Sequence, residues 1–241
     1  MRLDDLKSKG LVRSVTAPPV ADAVFPFGLG ETGLHELAEA GYGDRAAMTG
    51  FLLAAIQPAT RGAWVWVQQD EIVRDSGRIC EAALAGNPAY LRLNVLARNN
   101  REALWATEEA IVSNAASLVI AEIDSADFTA TRRLALSSER HGVPVVLMLP
   151  HAREGATAAA TRWRVSPRPS APNRFDPHAP GHPRWRVVLE RCRTAPSATG
   201  QTFDLEWNDE TLSLCVAKGL AAGPVAPRPT AGEATLRRKT S

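Results

Sequence analysis

The chain has few of the residues and runs that mark several classes of protein. Its 241 residues include only three cysteines, Cys80, Cys192 and Cys215, and no C-x-x-C pair. This indicates neither a disulfide framework nor a thiolate zinc site. The longest apolar runs, FLLAAI and VPVVLML, are too short to span a membrane, and the first residues lack the apolar core of a signal peptide. We therefore expect a reduced, cytoplasmic protein with no membrane partner.

The bulk composition is that of an ordinary globular protein. Hydrophobic residues make up 45% of the chain, and the net charge is +2. The length suffices for one α/β domain with a full core. We predict an N-terminal arm and linker over 1–24, a folded domain over 25–220 and a disordered tail over 221–241. The tail ends in a basic cluster that could bind a partner protein, formed by Arg237, Arg238 and Lys239.

Continuous apolar runs alternate with helical patterns in the first part of the chain, which is typical of a parallel sheet buried on both faces. Strands are predicted at 33–39, 63–67, 91–96, 118–124 and 143–149. Helices are predicted at 46–57, 71–84, 101–113 after an Asn99 cap, and 129–141 with Thr129 as cap. Further on, period-two patterns predict strands that extend the sheet, in antiparallel fashion, at 161–165, 183–193, 202–207 and 211–216. A proline-rich surface loop is predicted over 166–183.

The turn between the first strand and the first helix has the geometry that binds phosphates. Backbone N–H groups and a helix N-terminus converge at such a turn. The P-loop sequence G-x-x-x-x-G-K-S/T is absent, however. Whichever of the two turn glycines starts the motif, neither a lysine for the phosphates nor a Ser/Thr for Mg²⁺ appears in its place. We therefore predict a degenerate P-loop that binds no nucleotide, comprising Gly41, Gly43, Arg45, Met48, Thr49 and Gly50.

Several other patterns do not support a catalytic or metal site. Gly28, Gly30 and Gly33 match G-x-G-x-x-G, but this stretch precedes a strand, whereas a dinucleotide fingerprint follows one. His178 and His182 have no obvious acidic or thiol partner, so no metal site and no cofactor are predicted. Carboxylates at strand ends, at positions 70, 71, 122 and 124, occupy places where an ATPase has its base and metal ligand. Without the lysine and hydroxyl, we expect them to cap turns or to form surface ion pairs, and we expect no enzymatic activity.

Arginines are concentrated between residues 151 and 193. Nine of them stand there against three acidic residues, with Trp163, Phe175 and Trp185 between them. Arginine with aromatic side chains suits single-stranded nucleic acid or a protein interface. The alternation in RWR predicts that both tryptophans face the core and the arginines face water. The candidate contacts to DNA or a partner are Arg153, Arg162, Arg164, Arg168 and Arg174.

The order of these pieces resembles the RecA-type ATPase core and, more specifically, the ImuA family of RecA-like accessory proteins of bacterial inducible mutagenesis. The resemblance runs from about residue 25 to residue 207. The segments that carry it are 33–41 (GLHELAEAG), 46–54 (AAMTGFLLA), 103–111 (ALWATEEAI), 127–143 (DFTATRRLALSSERHGV), 158–170 (AAATRWRVSPRPS), 183–193 (PRWRVVLERCR) and 203–207 (FDLEW).

The resemblance implies an α/β RecA-like fold and a family that lacks the Walker lysine. It implies an adaptor role in SOS-induced translesion synthesis, with an ImuB-type inactive Y-family polymerase and a specialised C-family polymerase as partners. Contact with RecA or with single-stranded DNA is also implied, and so is a location on the nucleoid when DNA is damaged. Three alternatives remain open: a SulA-like inhibitor of cell division, an atypical RecA-like ATPase, and a plain single-strand DNA-binding module.

Overall fold

The computed structural model describes residues 25–56, 62–79, 92–173, 175–176, 178–208 and 213–216. The predicted arm 1–24 and tail 221–241 lie outside these ranges. The candidate tail contacts Arg237, Arg238 and Lys239, and the candidate Arg174, also lie outside them.

Strands and helices alternate over the first part of the described chain. The helices are α1 (Arg45–Ile56), α2 (Asp70–Ser76), α3 (Asn100–Val112) and α4 (Phe128–His141). The strands are β1 (Leu34–Glu39), β2 (Trp64–Gln69), β3 (Arg92–Ala97), β4 (Leu118–Glu122), β5 (Val145–Leu149), β6 (Thr161–Arg168), β7 (Arg184–Cys192), β8 (Thr202–Asn208) and β9 (Ser213–Val216).

All nine strands join one sheet, in the order β3-β2-β4-β5-β1-β6-β7-β8-β9. The pairings from β3 to β6 are parallel, and β7, β8 and β9 continue the sheet in antiparallel fashion. The predicted class, a mostly parallel sheet flanked by helices with an antiparallel C-terminal extension, is confirmed. One detail of the prediction is wrong: β6 lies parallel to β1, so the antiparallel extension begins one strand later.

Apolar side chains fill both faces of the sheet, which is why its central strands are continuous hydrophobic runs. On one face, α1 places Phe51 against Trp66 and Trp163 in one core cluster. On the other face, α3 and α4 cover a second cluster that includes Val67 and Leu147. The two clusters pack the sheet between the helices, and the carboxyl ends of its parallel strands meet at one edge.

The helix boundaries follow local capping chemistry. Asn99 caps α3 as predicted, because its side chain accepts a hydrogen bond from the backbone N–H of Glu102 at 3.0 Å. The cap of α4 is Asp127 rather than Thr129, since Asp127 Oδ1 accepts from the N–H of Ala130 at 2.6 Å. Helix α2 ends at Ser76 and not at 84, because Gly77 follows with a φ of 82°, in the left-handed region that ends helices.

The predicted proline-rich loop 166–183 begins later than expected. Strand β6 continues to Arg168, and its partner β7 begins at Arg184. The described part of the loop folds back on itself through a bridge between Pro172 and Pro180. Gly181 makes this fold possible, because a Cβ at that position would lie 2.2 Å from the carbonyl oxygen of Ala171.

Candidate functional site

The carboxyl ends of β1, β5 and β4 lie side by side, with α1 starting beside them. Ligands of open α/β sheets bind at this edge. Residues 40–44 connect β1 to α1, which places Arg45 in the first turn of the helix. Strand β5 lies between β1 and β4, so Glu39 at the end of β1 and Glu122 at the end of β4 flank the same opening.

Arg45 bridges these two carboxylates. Its Nε lies 3.0 Å from Glu39 Oε1, and its Nη1 lies 3.3 Å from Glu122 Oε2. The three side chains are almost entirely removed from water, with exposed fractions of 12% for Arg45, 5% for Glu39 and 6% for Glu122. We call these three residues the Arg45 cluster. A buried guanidinium of this kind holds both carboxylates by charge-assisted hydrogen bonds.

Neutral donors fix the second carboxylate of the Arg45 cluster. Trp66 Nε1 donates to Glu122 Oε1 at 2.6 Å, and Gln68 Nε2 donates to the same oxygen at 2.9 Å. Both donors come from β2, the neighbour of β4. Glu122 therefore accepts hydrogen bonds at both oxygens, and its orientation is set by the sheet itself.

The charges of the Arg45 cluster oppose the binding of an anion. Two carboxylates surround one guanidinium, so the cluster carries one excess negative charge. Burial raises the pKa of the Glu39 carboxyl above its ordinary value, although the Arg45 guanidinium acts in the opposite direction. A phosphate approaching this opening would meet carboxylates at close range and an arginine whose hydrogen-bonding fork is already engaged.

Several of the predicted P-loop positions contact other parts of the fold, whereas Gly43 is exposed, with a φ of 87°. The N–H of Gly41 donates to Asp44 Oδ2 at 3.0 Å, within the turn itself. Met48 is fully buried in the core below α1. At Gly50 the helix approaches the indole of Trp185, where an added Cβ would lie 3.4 Å from the ring. Thr49 is partly exposed in the same helix.

Other polar groups at this edge are paired with one another. The side chain of Gln69 donates to the Asp124 carboxylate, and Gln69 Oε1 accepts from the N–H of Asp124 at 3.3 Å. Asp70 pairs with Arg74 on the surface of α2, 2.5 Å apart. The expectation of a surface ion pair fits Asp70. It does not fit Glu122, whose ion pair is buried.

The candidate arginines on β6 and the loop before it hold intramolecular ion pairs. Arg162 Nε lies 2.7 Å from Glu36 Oε2, and Arg153 Nη2 lies 3.6 Å from Glu36 Oε1. Thr157 Oγ1 also donates to Glu36, at 2.6 Å. Glu36 is completely buried in β1, so its carboxylate holds this loop against the strand.

Arginines further along the extension also form intramolecular ion pairs. Arg164 Nε lies 2.5 Å from Glu190 Oε1, and Arg168 Nε lies 3.9 Å from Asp204 Oδ1. Arg186 donates two hydrogen bonds to Asp204, each 2.8 Å long, and these lower the pKa of the Asp204 carboxyl. These cross-strand pairs cover the sheet face opposite the tryptophans.

The tryptophans of the RWR motifs point into the core, as the alternation predicts. Trp163 is fully buried and Trp185 is 5% exposed. The expectation that the arginines face water is met only in part, because their partly buried guanidinium groups lie against carboxylates. Contact of these arginines with DNA or a partner stays a prediction. Among the described residues, no group of three or more His, Cys, Asp or Glu side chains is arranged to hold a metal ion.

Sequence comparison identifies the family. The chain is 37% identical over 193 residues to Protein ImuA of Caulobacter vibrioides in two strains, and the match covers 73% of this chain and 76% of each relative. The chain belongs to the ImuA family. The predicted resemblance to the ImuA family is thereby confirmed, although no protein-family profile matches the chain. None of the helices in the described part of this ImuA-family protein has the length and hydrophobicity that a membrane span requires.

Sequence reasoning on this ImuA-family chain missed the two buried carboxylates of β1. Glu36 and Glu39 are acidic residues inside a strand that is buried along its whole length. That pattern was itself a signal, since a carboxylate is almost never fully buried without a partner. Their partners Arg162, Arg45 and Arg153 are distant in sequence or lie across a turn, so only the fold shows which arginine meets which acid.

Proposed function

We propose that the chain is a non-catalytic adaptor of the ImuA/ImuB mutagenic response to DNA damage. It would bridge an ImuB-type inactive Y-family polymerase and a specialised C-family polymerase, in contact with RecA. It would act in the cytoplasm, on the nucleoid once DNA is damaged. Membership of the ImuA family supports the pathway, and the Arg45 cluster supports the non-catalytic part of the proposal.

The Arg45 cluster is the observation that carries the proposal. Phosphoryl transfer needs a lysine on the β- and γ-phosphates and a metal held by a hydroxyl and a carboxylate. Here the start of α1 offers an arginine that is already bound to Glu39 and Glu122. Asp124, at the position of a metal carboxylate, is paired with Gln69. Without a triphosphate there is no hydrolysis-driven switch, and a fixed scaffold remains.

The outer face of α3 and α4 is the part of the scaffold best suited to a protein partner. Both helices follow parallel strands and run side by side, joined by an ion pair of 3.0 Å between Arg133 and Glu108. Large apolar side chains are exposed on these two helices, and Trp105 is 58% exposed. Aromatic and apolar residues of this kind are typical anchors of interfaces. The others are Val112, Phe128 and Leu136.

A pulldown with an ImuB-type partner tests the adaptor role. The full chain is compared with a chain ending at residue 221, with the division protein FtsZ as a control bait. Retention by the full chain alone assigns the contact to the tail, and retention by both assigns it to the folded domain. In that case Trp105→Ala with Leu136→Ala should abolish retention, while the matched exposed pair Glu109→Ala with Arg132→Ala should not. Retention by neither chain overturns the adaptor role, and retention by FtsZ alone supports a division inhibitor.

A turnover assay tests the non-catalytic part separately. Purified protein is incubated with ATP and Mg²⁺, with and without single-stranded DNA, and phosphate release is measured. We expect release no faster than in buffer. Turnover that disappears in Glu122→Gln would show that the carboxyl edge of the sheet is an active site after all.

A further inference from the structure

A cleft opens beside the strand extension, away from the Arg45 cluster. It lies between the loop at Gly155–Thr157 and the segment that follows β7, and its volume is about 520 Å³. Three arginines line it, together with one carboxylate: Arg162, Arg191, Arg193 and Glu190. The lining thus carries more basic than acidic side chains, although Arg162 and Arg193 also pair with Glu36 and Glu139, which lie outside the lining.

Two of these arginines face each other across the strands. Arg162 of β6 is the direct register partner of Arg191 of β7. Like charges directly opposite each other in a sheet are destabilising. A second arginine pair of the same ladder, Arg168 with Arg184, is offset by nearby acids, as Arg184 Nη2 lies 2.7 Å from Glu206 Oε2. Within the described part of the chain, Arg191 has no such carboxylate, and its Nε donates only to the Ala159 carbonyl at 3.2 Å.

The guanidinium groups that line the cleft are only partly engaged by other residues. Arg162 uses Nε for Glu36 and Nη1 for the Gly155 carbonyl, while its buried Nη2 has no hydrogen-bond partner among the described residues. Arg193 is held by Glu139 at 2.7 Å, but that pair is half exposed. Arg191 lies near the end of β7 and Arg193 directly follows the strand, and both line the cleft. An oxyanion in the cleft would offset this concentration of charge.

We propose that the cleft binds backbone phosphates of single-stranded DNA. Guanidinium forks match phosphate oxygens, and the cleft is large enough for a sugar–phosphate unit. A carboxylate side chain would fill only a small part of the cleft. None of the residues lining it is aromatic, so no base stacks there and binding is independent of sequence. The cleft includes the candidate contact Arg162, but not Arg153, Arg164 or Arg168, each of which forms an ion pair with an acid.

The inference adds a partner to the proposed function. It is tested with protein and DNA alone, so a negative result leaves the pulldown with the ImuB-type partner unaffected. The converse also holds, because loss of the partner contact would not change the affinity for DNA.

Fluorescence anisotropy of a labelled mixed-sequence oligonucleotide of about 20 nucleotides measures the interaction, with the full chain at several salt concentrations. Arg191→Gln with Arg193→Gln should weaken binding roughly 10- to 30-fold near 0.1 M salt and lower the slope of log K against log salt by about 1.4, since each phosphate contact contributes about 0.7 on single strands. The matched control, Arg78→Gln with Arg101→Gln, removes the same charge from exposed positions near β2 and β3. It should retain most of the affinity.

A gain of affinity provides a second test that does not depend on a weakened variant. Glu139→Gln releases Arg193 from its ion pair, so binding should tighten several-fold. The control Glu109→Gln makes the same charge change on α3 and should have a smaller effect. The proposal is overturned if the full chain does not bind the oligonucleotide at 50 mM salt, or if each variant behaves like its control. It is also overturned if the arginine variant loses affinity for a polyglutamate peptide but not for DNA.

Discussion

Replacing Arg45 by methionine should destabilise the fold by about 3–5 kcal/mol at neutral pH, because it leaves two buried carboxylates without a cation. Each ion pair, at 3.0 Å and 3.3 Å, has a Coulomb energy of about 5 kcal/mol at an effective dielectric constant of 20. The cost of desolvating three ions offsets most of that sum in the native protein. The variant keeps the desolvation of Glu39 and Glu122 and loses the attraction.

The pH dependence of this loss gives a sharper signature. Without Arg45, the pKa of the Glu39 carboxyl should rise further above that of the unfolded chain, because burial raises it and the opposing effect of the guanidinium is lost. The native variant then binds more protons than its unfolded state, so its stability rises as the pH falls. The difference in the free energy of unfolding between the variant and the natural chain should therefore become smaller as the pH is lowered from 7 to 5.

Urea unfolding at both pH values, followed by the fluorescence of the buried tryptophans, measures the free energies of unfolding. The control is Arg74→Met, which breaks the exposed pair with Asp70 and should cost less than about 1 kcal/mol. The combination of Arg45→Met with Glu39→Gln and Glu122→Gln should recover most of the stability. The reasoning is refuted if Arg45→Met costs no more than its control, or if the difference from the natural chain stays constant with pH.

Three further perturbations test the fold. Burial holds the pKa of His35 at about 4, so below pH 6.5 the unfolded state binds a proton that the folded state does not. The free energy of unfolding should therefore fall by about 3 kcal/mol between pH 6.5 and pH 4. His35→Gln should remove this component of the pH profile, as measured by urea unfolding. Asp127→Ala should cost about 1 kcal/mol by thermal unfolding, whereas Thr129→Ala should cost little, and equal losses would contradict the assignment of the cap. Trp163→Ala should cost about 3–5 kcal/mol in urea, and a loss below 1 kcal/mol would mean that the site collapses around the missing ring.

The architecture could be predicted because the hydrophobic pattern determines it locally. Continuous apolar runs such as Trp64–Gln69 and Val145–Leu149 are buried on both faces, and their order along the chain identifies them as parallel strands. The alternation around Trp163 and Trp185 likewise indicated which side of the extension faces the core. The end of α2 was misjudged because the apolar pattern continues past Gly77, whereas the backbone conformation of that glycine ends the helix.

The site was predicted less well, because its partners are brought together by the fold. The missing P-loop lysine was visible in the sequence, but the role of Arg45 depended on Glu122, 77 residues further along the chain. The number of arginines between residues 151 and 193 indicated a basic surface. The acids that neutralise several of them come from β1 and β8, outside that segment, as Glu36 and Asp204 show. Charge counted along a sequence is therefore a poor guide to charge presented at a surface.

The interdependence of Glu39, Arg45 and Glu122 also limits what substitution can achieve at this position. Lysine at position 45 would still face two carboxylates, and removal of either acid alone would leave the other paired with the arginine. A pocket for a triphosphate would require at least three coordinated replacements, and the intermediate variants that remove the cation first would carry the loss of stability described above. In directed evolution, routes from this chain toward a nucleotide-binding protein that replace Arg45 before the two acids would therefore pass through unstable proteins.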